Sequence, residues 1–474
     1  MSIKTIFRKH SVVLCLFAIV IVAAALRSYR LDYQSLWVDE IASMNGSDPD
    51  LSWSAVIIYS VGDQPPAFFL LLHSWLRVFP FNDFYGRLLS LAIGILGIIA
   101  IFYLGKEVKD SKLGLIASLI TAVNYIHIYF SQEVRFYTLL FLLSSLSYLF
   151  FIRVVKSAGF LDFFLYSLST ILLLYTHYFG LVVFAVQGIL FLIIIVLFRV
   201  NRRFILLSIL SGMVVVIALS PWIPIFLSDS QTENFWIPPE PVYFLIKYFW
   251  VYFKDVLSCF VFATLLIAYF FNLYKQLRSR RSIDPVDIIL FGGTALSFLI
   301  PLIYSLVQTP LLQVRYTLIA LPTLIVMISL GIRLIQPGFQ RIILIITCCS
   351  SLISLVVFQN FYSEIKKEDW RGIVRAVIKK TTQGDIAVSR HSWYCNYYFK
   401  SLHSPIRAIQ SSEFNLGNQK PSGVWWLDGF DMSPGLNEFE ITLLQNGYMR
   451  SEPDSLHGTK ASYYQLPSGN STKK

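Results

Sequence analysis

Two carboxylates stand side by side in Leu36-Trp37-Val38-Asp39-Glu40, about ten residues past the first apolar stretch. A carboxylate at a membrane surface can take a proton from a hydroxyl, bind a metal or pair with a cation. For one such pair taken alone, an internal salt bridge or a solvated loop is the favoured explanation. Four further groups share this character. Asp63 and Gln64 precede Pro65-Pro66, which cannot continue a helix but starts one well, so a helix cap at Asp63 competes with a functional role. Glu133 and Arg135 lie in Gln132-Glu133-Val134-Arg135, where a carboxylate suits a metal or a sugar hydroxyl and a guanidinium suits a phosphate. Their alternative is an internal ion pair. His177 lies in Tyr175-Thr176-His177-Tyr178 and reads as a structural histidine or as a contact to substrate or metal. Arg315, in Arg315-Tyr316, places a cation where a lipid phosphate would need one.

The elements that must position these residues are membrane helices. Of 474 residues, 55% are hydrophobic and only 14% charged, against about a quarter charged in soluble domains. Apolar runs recur near 11–29, 87–105, 113–130, 136–153, 160–176, 179–199, 204–226, 255–274, 286–307, 314–335 and 341–360. This predicts a polytopic α-helical membrane protein of about eleven spans. The net charge of +11 then reflects topology and anionic lipid headgroups, and no nucleic-acid motif is present. Basic clusters at Lys106/Lys109/Lys112, Arg153/Lys156, Arg199/Arg202/Arg203, Lys275/Arg278/Arg280/Arg281 and Arg333/Arg341 mark cytoplasmic loops. Lys4, Arg8 and Lys9 precede the first apolar stretch, a signal peptide or signal anchor; both place Asp39 outside the cytoplasm. An odd number of spans puts the C-terminus outside as well.

Residues 66–80 are apolar but short, and contain His73, Trp75 and Arg77. Counting them as a crossing would invert every later basic loop, so they read as an interfacial or partly inserted helix in an outer loop over about 30–86. With this topology Asp39, Glu40, Asp63, Glu133, Arg135, His177, Trp236 and Arg315 all fall on the outer face, as a shared site would require. Residues 1–360 form the membrane module. Residues 361–474 change character: an amphipathic helix over Lys367–Lys380, strands over Asp385–Ser389, Gly423–Leu427 and Ala461–Leu466, and a helix near Asn437–Asn446 predict a small extracytoplasmic α/β domain. Five cysteines form no disulfide framework or zinc spacing.

The ordered set LWVDE, DQPPAFFLLLHSW, GRLLSLAIG, YFSQEVRFY, YTHYFG, PWIP, WIPP, RYTLIALP and KEDWRGIV resembles the bacterial branch of the protein O-mannosyltransferase and lipid A aminoarabinose transferase superfamily, from about residue 20 to residue 385. The resemblance implies a GT-C fold in a cytoplasmic membrane. It implies a polyprenyl-phosphate sugar as donor and inverting transfer to an acceptor hydroxyl at the outer face. It carries the catalytic base onto Asp39, with Glu40 beside it to orient it, bind a cation or raise its pKa. The family's Gln-Glu-x-Arg segment matches Gln132, Glu133 and Arg135, and its Arg-Tyr matches Arg315 and Tyr316; donor or phosphate contacts are expected at Gln64, Arg135, Arg315 and Tyr316, and acceptor or metal contacts at Asp63, Glu133 and His177. One departure is Gln64, where related chains have histidine before Pro-Pro; glutamine hydrogen-bonds but carries no charge. The acceptor is a protein, lipid or polysaccharide, and a divalent metal is compatible with the site without being demanded by it. A transporter or flippase would instead place ionisable residues at the bilayer midplane in two related halves, and no repeat is evident.

Overall fold

The computed structural model describes residues 3–157, 159–229, 237–279, 283–416, 421–429 and 436–467. Trp236, Arg280 and Arg281 lie outside them. The chain divides into two compact units, one of residues 1–29, 50–75 and 87–362, the other of residues 30–49, 76–86 and 363–474.

The first unit is a helical membrane protein. Each of the eleven apolar stretches is helical, and nine helices among the described residues are long and apolar enough to cross a bilayer. The other two differ from expectation. Stretch 113–130 is broken into Ser111–Val123 and Tyr125–Ser131, bent by 63°. Stretch 160–176 forms the 15-residue helix Phe160–Leu174, about 22 Å long at 1.5 Å per residue. Exposed apolar side chains such as Leu206, Met213, Ile217, Phe260 and Ile345 suit a lipid surround. Interior contacts rely on small residues: a Cβ at Gly105 would lie 2.9 Å from Gly114 Cα, so the helices carrying them approach closely.

The break at Asn124 has identifiable causes. Asn124 Oδ1 accepts the His127 N–H at 3.0 Å, starting the second helix, and its Nδ2 donates to Tyr252 O at 2.9 Å. The carbonyls released at the end of the first helix face Arg27, whose guanidinium donates to Ala122 O at 2.8 Å and Thr121 O at 3.1 Å. Arg27 is fully buried, and it also donates to Ser131 Oγ and His127 Nδ1. This brace ends at Ser131, next to the turn that carries Glu133 and Arg135.

Residues 66–80 contain the helix Ala67–Leu76, ten residues and so about 15 Å long, roughly half the hydrocarbon thickness. It is too short to cross. Labelling reporters at Lys109 and Arg278 are accordingly expected to read cytoplasmic in cells. A reporter at Lys109 that reads outside would overturn this topology.

The second unit is built on a mixed six-stranded sheet of β1 (Asp385–Ser389), β2 (Ala408–Gln410), β3 (Gly423–Gly429), β4 (Met449–Arg450), β5 (Asp454–Leu456) and β6 (Thr459–Gln465). The order is β2-β1-β3-β6-β4, with β5 also on β6; β1 runs parallel to β2 and β3, and β6 antiparallel to its partners. Val388, Val424, Trp426, Leu443, Tyr448 and Tyr464 form its core. The helix Trp370–Lys380 buries Trp370, Ile373, Val374 and Val377, the 3–4 residue spacing of an amphipathic helix. The helix Ser392–Ser401 was not evident in the sequence. Asp83 is buried in this unit and accepts from Tyr397 Oη at 2.8 Å, Tyr398 Oη at 3.3 Å and Arg371 Nη1 at 3.3 Å.

Candidate active site

In the membrane unit, the turn after Ser131 directs Arg135 inward, with its side chain 6% exposed. Its two terminal nitrogens donate to the two carboxylate oxygens of Asp63 at 3.1 and 3.3 Å, a bidentate pair. The guanidinium also stacks 4.5 Å from the Phe136 ring centroid. Asp63 reaches it from a turn in which Gly62 adopts φ +88°, a conformation open to glycine. The Asp63 carboxylate is therefore an ion-pair partner of Arg135. The internal pair expected of Arg135 exists, 72 residues away in sequence. Gln64 Oε1 accepts the Tyr178 N–H at 3.4 Å, and Ala67 N–H donates to Tyr175 O at 2.8 Å. The neutral amide of Gln64 thus serves this hydrogen bond, for which no charge is needed.

His177 is 1% exposed and enclosed by the rings of Tyr316 at 4.7 Å, Phe136 at 4.8 Å and Phe179 at 5.6 Å. Its Nδ1 accepts the Phe179 N–H at 2.9 Å. The neutral ring therefore carries its proton on Nε2, which has no hydrogen-bond acceptor among the described residues. Burial, and then the positive charges of Arg135 and Arg315, hold its pKa well below the ordinary histidine value. His177 is thus a neutral N–H donor flanked by two guanidinium groups. Arg315 precedes the short 3-10 helix Tyr316–Ala320, with its guanidinium 5.5 Å from the Tyr316 ring. Glu133 lies in the same turn as Arg135 and is 1% exposed. Asp63, Gln64, Arg135, His177, Arg315 and Tyr316 therefore gather in one region of this unit.

A metal does not fit this arrangement. Ligation through His177 Nε2 would move the ring proton to Nδ1, against the Phe179 N–H. No group of three or more His, Cys, Asp or Glu side chains among the described residues could hold a metal ion. The same unit contains an apolar cavity of about 440 Å³, walled by Phe244, Tyr248, Tyr252, Phe270, Phe291 and Phe298. The Tyr252 hydroxyl donates to Thr317 O at 3.0 Å, which ties this wall to the segment following Arg315-Tyr316.

In the second unit, Asp39 and Glu40 lie in the first turn of the helix Val38–Gly46. They differ sharply in environment. Asp39 is partly exposed, and its carbonyl accepts from Ser43 Oγ at 2.9 Å. Glu40 is fully buried; its Oε2 accepts from Lys367 Nζ at 2.8 Å and from the Trp37 N–H at 3.3 Å. Binding a cation was one of the roles open to Glu40, and its fully buried carboxylate is paired with the Lys367 ammonium. Removing one partner of such a pair costs about 3–5 kcal/mol. Tyr394 belongs to the same neighbourhood. Burial, then Glu368 and Asp39, raise its pKa, so it stays a neutral phenol. Lys367 was visible in the sequence within Lys-Glu-Asp-Trp-Arg but had no assigned role.

Residues 63–225 match the family model described as dolichyl-phosphate-mannose-protein mannosyltransferase. That stretch includes Asp63, Gln64, Glu133, Arg135 and His177. No curated protein sequence matches the chain. Among solved structures, ArnT from Cupriavidus metallidurans in the apo state is similar at TM-score 0.67 and 12% identity, over 97% of this chain and 99% of that one. The same protein bound to undecaprenyl phosphate is similar at TM-score 0.63 and 12% identity, over 97% and 98% of the two chains. The oligosaccharyltransferase AglB from Archaeoglobus fulgidus, in complex with an inhibitory peptide and a dolichol-phosphate, is similar at TM-score 0.60 and 9% identity, over 98% of this chain and 75% of that one.

Proposed function

The chain has the GT-C glycosyltransferase fold, and on that premise we propose that it moves a sugar from a polyprenyl-phosphate donor to an acceptor hydroxyl by a single inverting displacement. The carrying observation is the buried, neutral His177 N–H between the cations Arg135 and Arg315. Two guanidiniums and one preorganised donor suit an oxygen anion whose charge grows as a bond breaks. A phosphate leaving from a sugar anomeric carbon is such an anion. Solved relatives in complex with undecaprenyl phosphate and dolichol-phosphate support this ligand class.

The steps balance without a metal. Asp39 takes the proton of the acceptor hydroxyl as its oxygen attacks the anomeric carbon. The bond from that carbon to the phosphate oxygen breaks with inversion, and the electron pair leaves on the phosphate. Arg135, Arg315 and the His177 N–H receive its charge, with Tyr316 and Gln64 lining the region. The aromatic cavity of Phe244, Tyr248 and Phe298 supplies apolar room for an isoprenoid tail. The chain is a multi-pass membrane protein. We place its N-terminus in the cytoplasm and its C-terminal domain outside the cytoplasmic membrane, where the acceptor is a protein, lipid or polysaccharide.

Mass spectrometry of envelope glycans and lipids from cells with and without the protein tests this reading. One component is expected to lose a single sugar when the protein is absent and to regain it on complementation. An unchanged glycan and lipid profile would overturn the proposal.

A further inference from the structure

The segment Lys366-Lys367-Glu368-Asp369-Trp370-Arg371 takes no part in the chemistry above, yet it bonds the stretch that leads into the helix of Asp39. Gln34 Oε1 accepts the N–H of Lys366 at 2.8 Å and of Lys367 at 3.2 Å. Ser35 Oγ donates to Asp369 Oδ1 at 2.8 Å and accepts the Arg371 N–H at 3.2 Å. Arg371 Nη2 donates to Asp32 O at 2.7 Å and to Tyr33 O at 3.1 Å. The Leu36 N–H donates to the Tyr398 hydroxyl at 2.6 Å. Each residue from Asp32 to Leu36 is therefore held by this part of the chain, and Lys367 then reaches Glu40 itself.

A brace alone does not require a charge at that point. A buried ion pair is commonly no more stable than a well-packed apolar pair of the same size. Here the pair sits one residue from the proposed base, with Glu40 at 0% exposure and Lys367 at 14%. An uncompensated Glu40 carboxylate, buried and next to Asp39 in the same helical turn, would oppose the charge of Asp39. The other ionisable groups on residues 366–371 and on the helix Ser392–Ser401 beside this helix are Lys366, Glu368, Asp369, Arg371, Tyr394, Cys395, Tyr397, Tyr398 and Lys400, of which Lys366 pairs with Glu364 and Arg371 with Asp83. Lys400 pairs with Asp48 at 2.6 Å, and Asp369 is bonded by Ser35 and the Gly372 N–H. The Glu368 charge adds to that of Glu40 in opposing a second anion.

We propose that Lys367 is a positioning residue for Asp39: its ammonium group neutralises and fixes Glu40, and so holds the base oriented and clear of an uncompensated neighbouring charge. The inference rests on the reading of Asp39 as the base. It ties the C-terminal segment to the helix that carries Asp39.

The test uses the full-length protein in nanodiscs and needs no knowledge of the substrate. A water-soluble carbodiimide with glycine ethyl ester labels protonated carboxyls, and mass spectrometry reads the adduct at Asp39 as a function of pH. Lys367→Met is expected to raise the labelling midpoint of Asp39 by about one pH unit and to abolish complementation of the envelope component. Lys367→Arg keeps the charge and is expected to retain the wild-type midpoint and partial function. The double variant Glu40→Gln/Lys367→Met removes both charges, leaves no lone buried ion, and is expected to restore the wild-type midpoint and part of the function. It decides the matter if Lys367→Met does not fold. An unshifted midpoint in Lys367→Met, or a double variant as shifted and as inactive as Lys367→Met, overturns the inference. Asp39→Asn that complements normally overturns the base assignment instead, so the two failures are distinct.

Discussion

Asp39→Asn is expected to lower sugar transfer by about 10²- to 10⁴-fold, the usual contribution of a positioned general base. Asparagine matches aspartate in size and keeps a hydrogen-bond acceptor, but it cannot take a proton from an attacking hydroxyl. The variant is expected to fold. The helix Val38–Gly46 is fixed by Glu40 on Lys367 and on the Trp37 N–H, and by Ser43 on the Asp39 carbonyl, none of which uses the Asp39 carboxylate. The paired measurement is the envelope component by mass spectrometry and the thermal unfolding midpoint of the purified protein. Lost transfer with an unchanged midpoint assigns the base. Near-normal transfer removes Asp39 from the chemistry. Glu40→Gln should differ, because Glu40 is fully buried and paired; its effect should appear in stability as well as in rate.

Much of this was legible in the sequence because ionisable residues stand out in a chain with only 14% charged residues. A carboxylate pair, a Gln-Glu-Val-Arg turn and an Arg-Tyr step between apolar runs announce themselves. Their partners do not. Arg135 meets Asp63 across 72 residues, and Lys367 meets Glu40 across 327; no local periodicity encodes either separation. Arg27 is a sharper case. At the end of an apolar run it reads as a flanking charge, yet it is buried and bonds the carbonyls freed at Asn124. The Asn124 break itself was hidden because hydropathy averages over 113–130 and takes no account of a side chain that caps a new helix. In the second unit, the apolar, β-branched and aromatic runs of β1, β3 and β6 were readable. The three-residue strand β2 was too short to show a pattern, and the helix Ser392–Ser401 carries aromatic residues around much of its surface.

Arg135→Ala is expected to reduce kcat/KM by about 10²- to 10³-fold, the loss typical when a donor to a developing oxygen anion is removed. Arg135→Lys should fall between, since it restores the charge but not the bidentate fork on Asp63. Asp63 is one-third exposed, so the Asp63 carboxylate left behind can be hydrated, and the stability cost should stay near about 1–3 kcal/mol. The pH dependence separates lost phosphate stabilisation from a changed histidine. Arg135 is one of two cations depressing the His177 pKa, so its removal lets that pKa rise. Burial is the larger cause and persists, so His177 should remain neutral near pH 7 and keep its Nε2 proton. The deficit of Arg135→Ala should therefore persist at pH 6, where a histidine freed to become cationic would have replaced the missing charge. Recovery of transfer at pH 6 would mean that charge on His177 can substitute for Arg135. Wild-type kcat/KM at pH 7 would mean that Arg135 serves only to anchor Asp63.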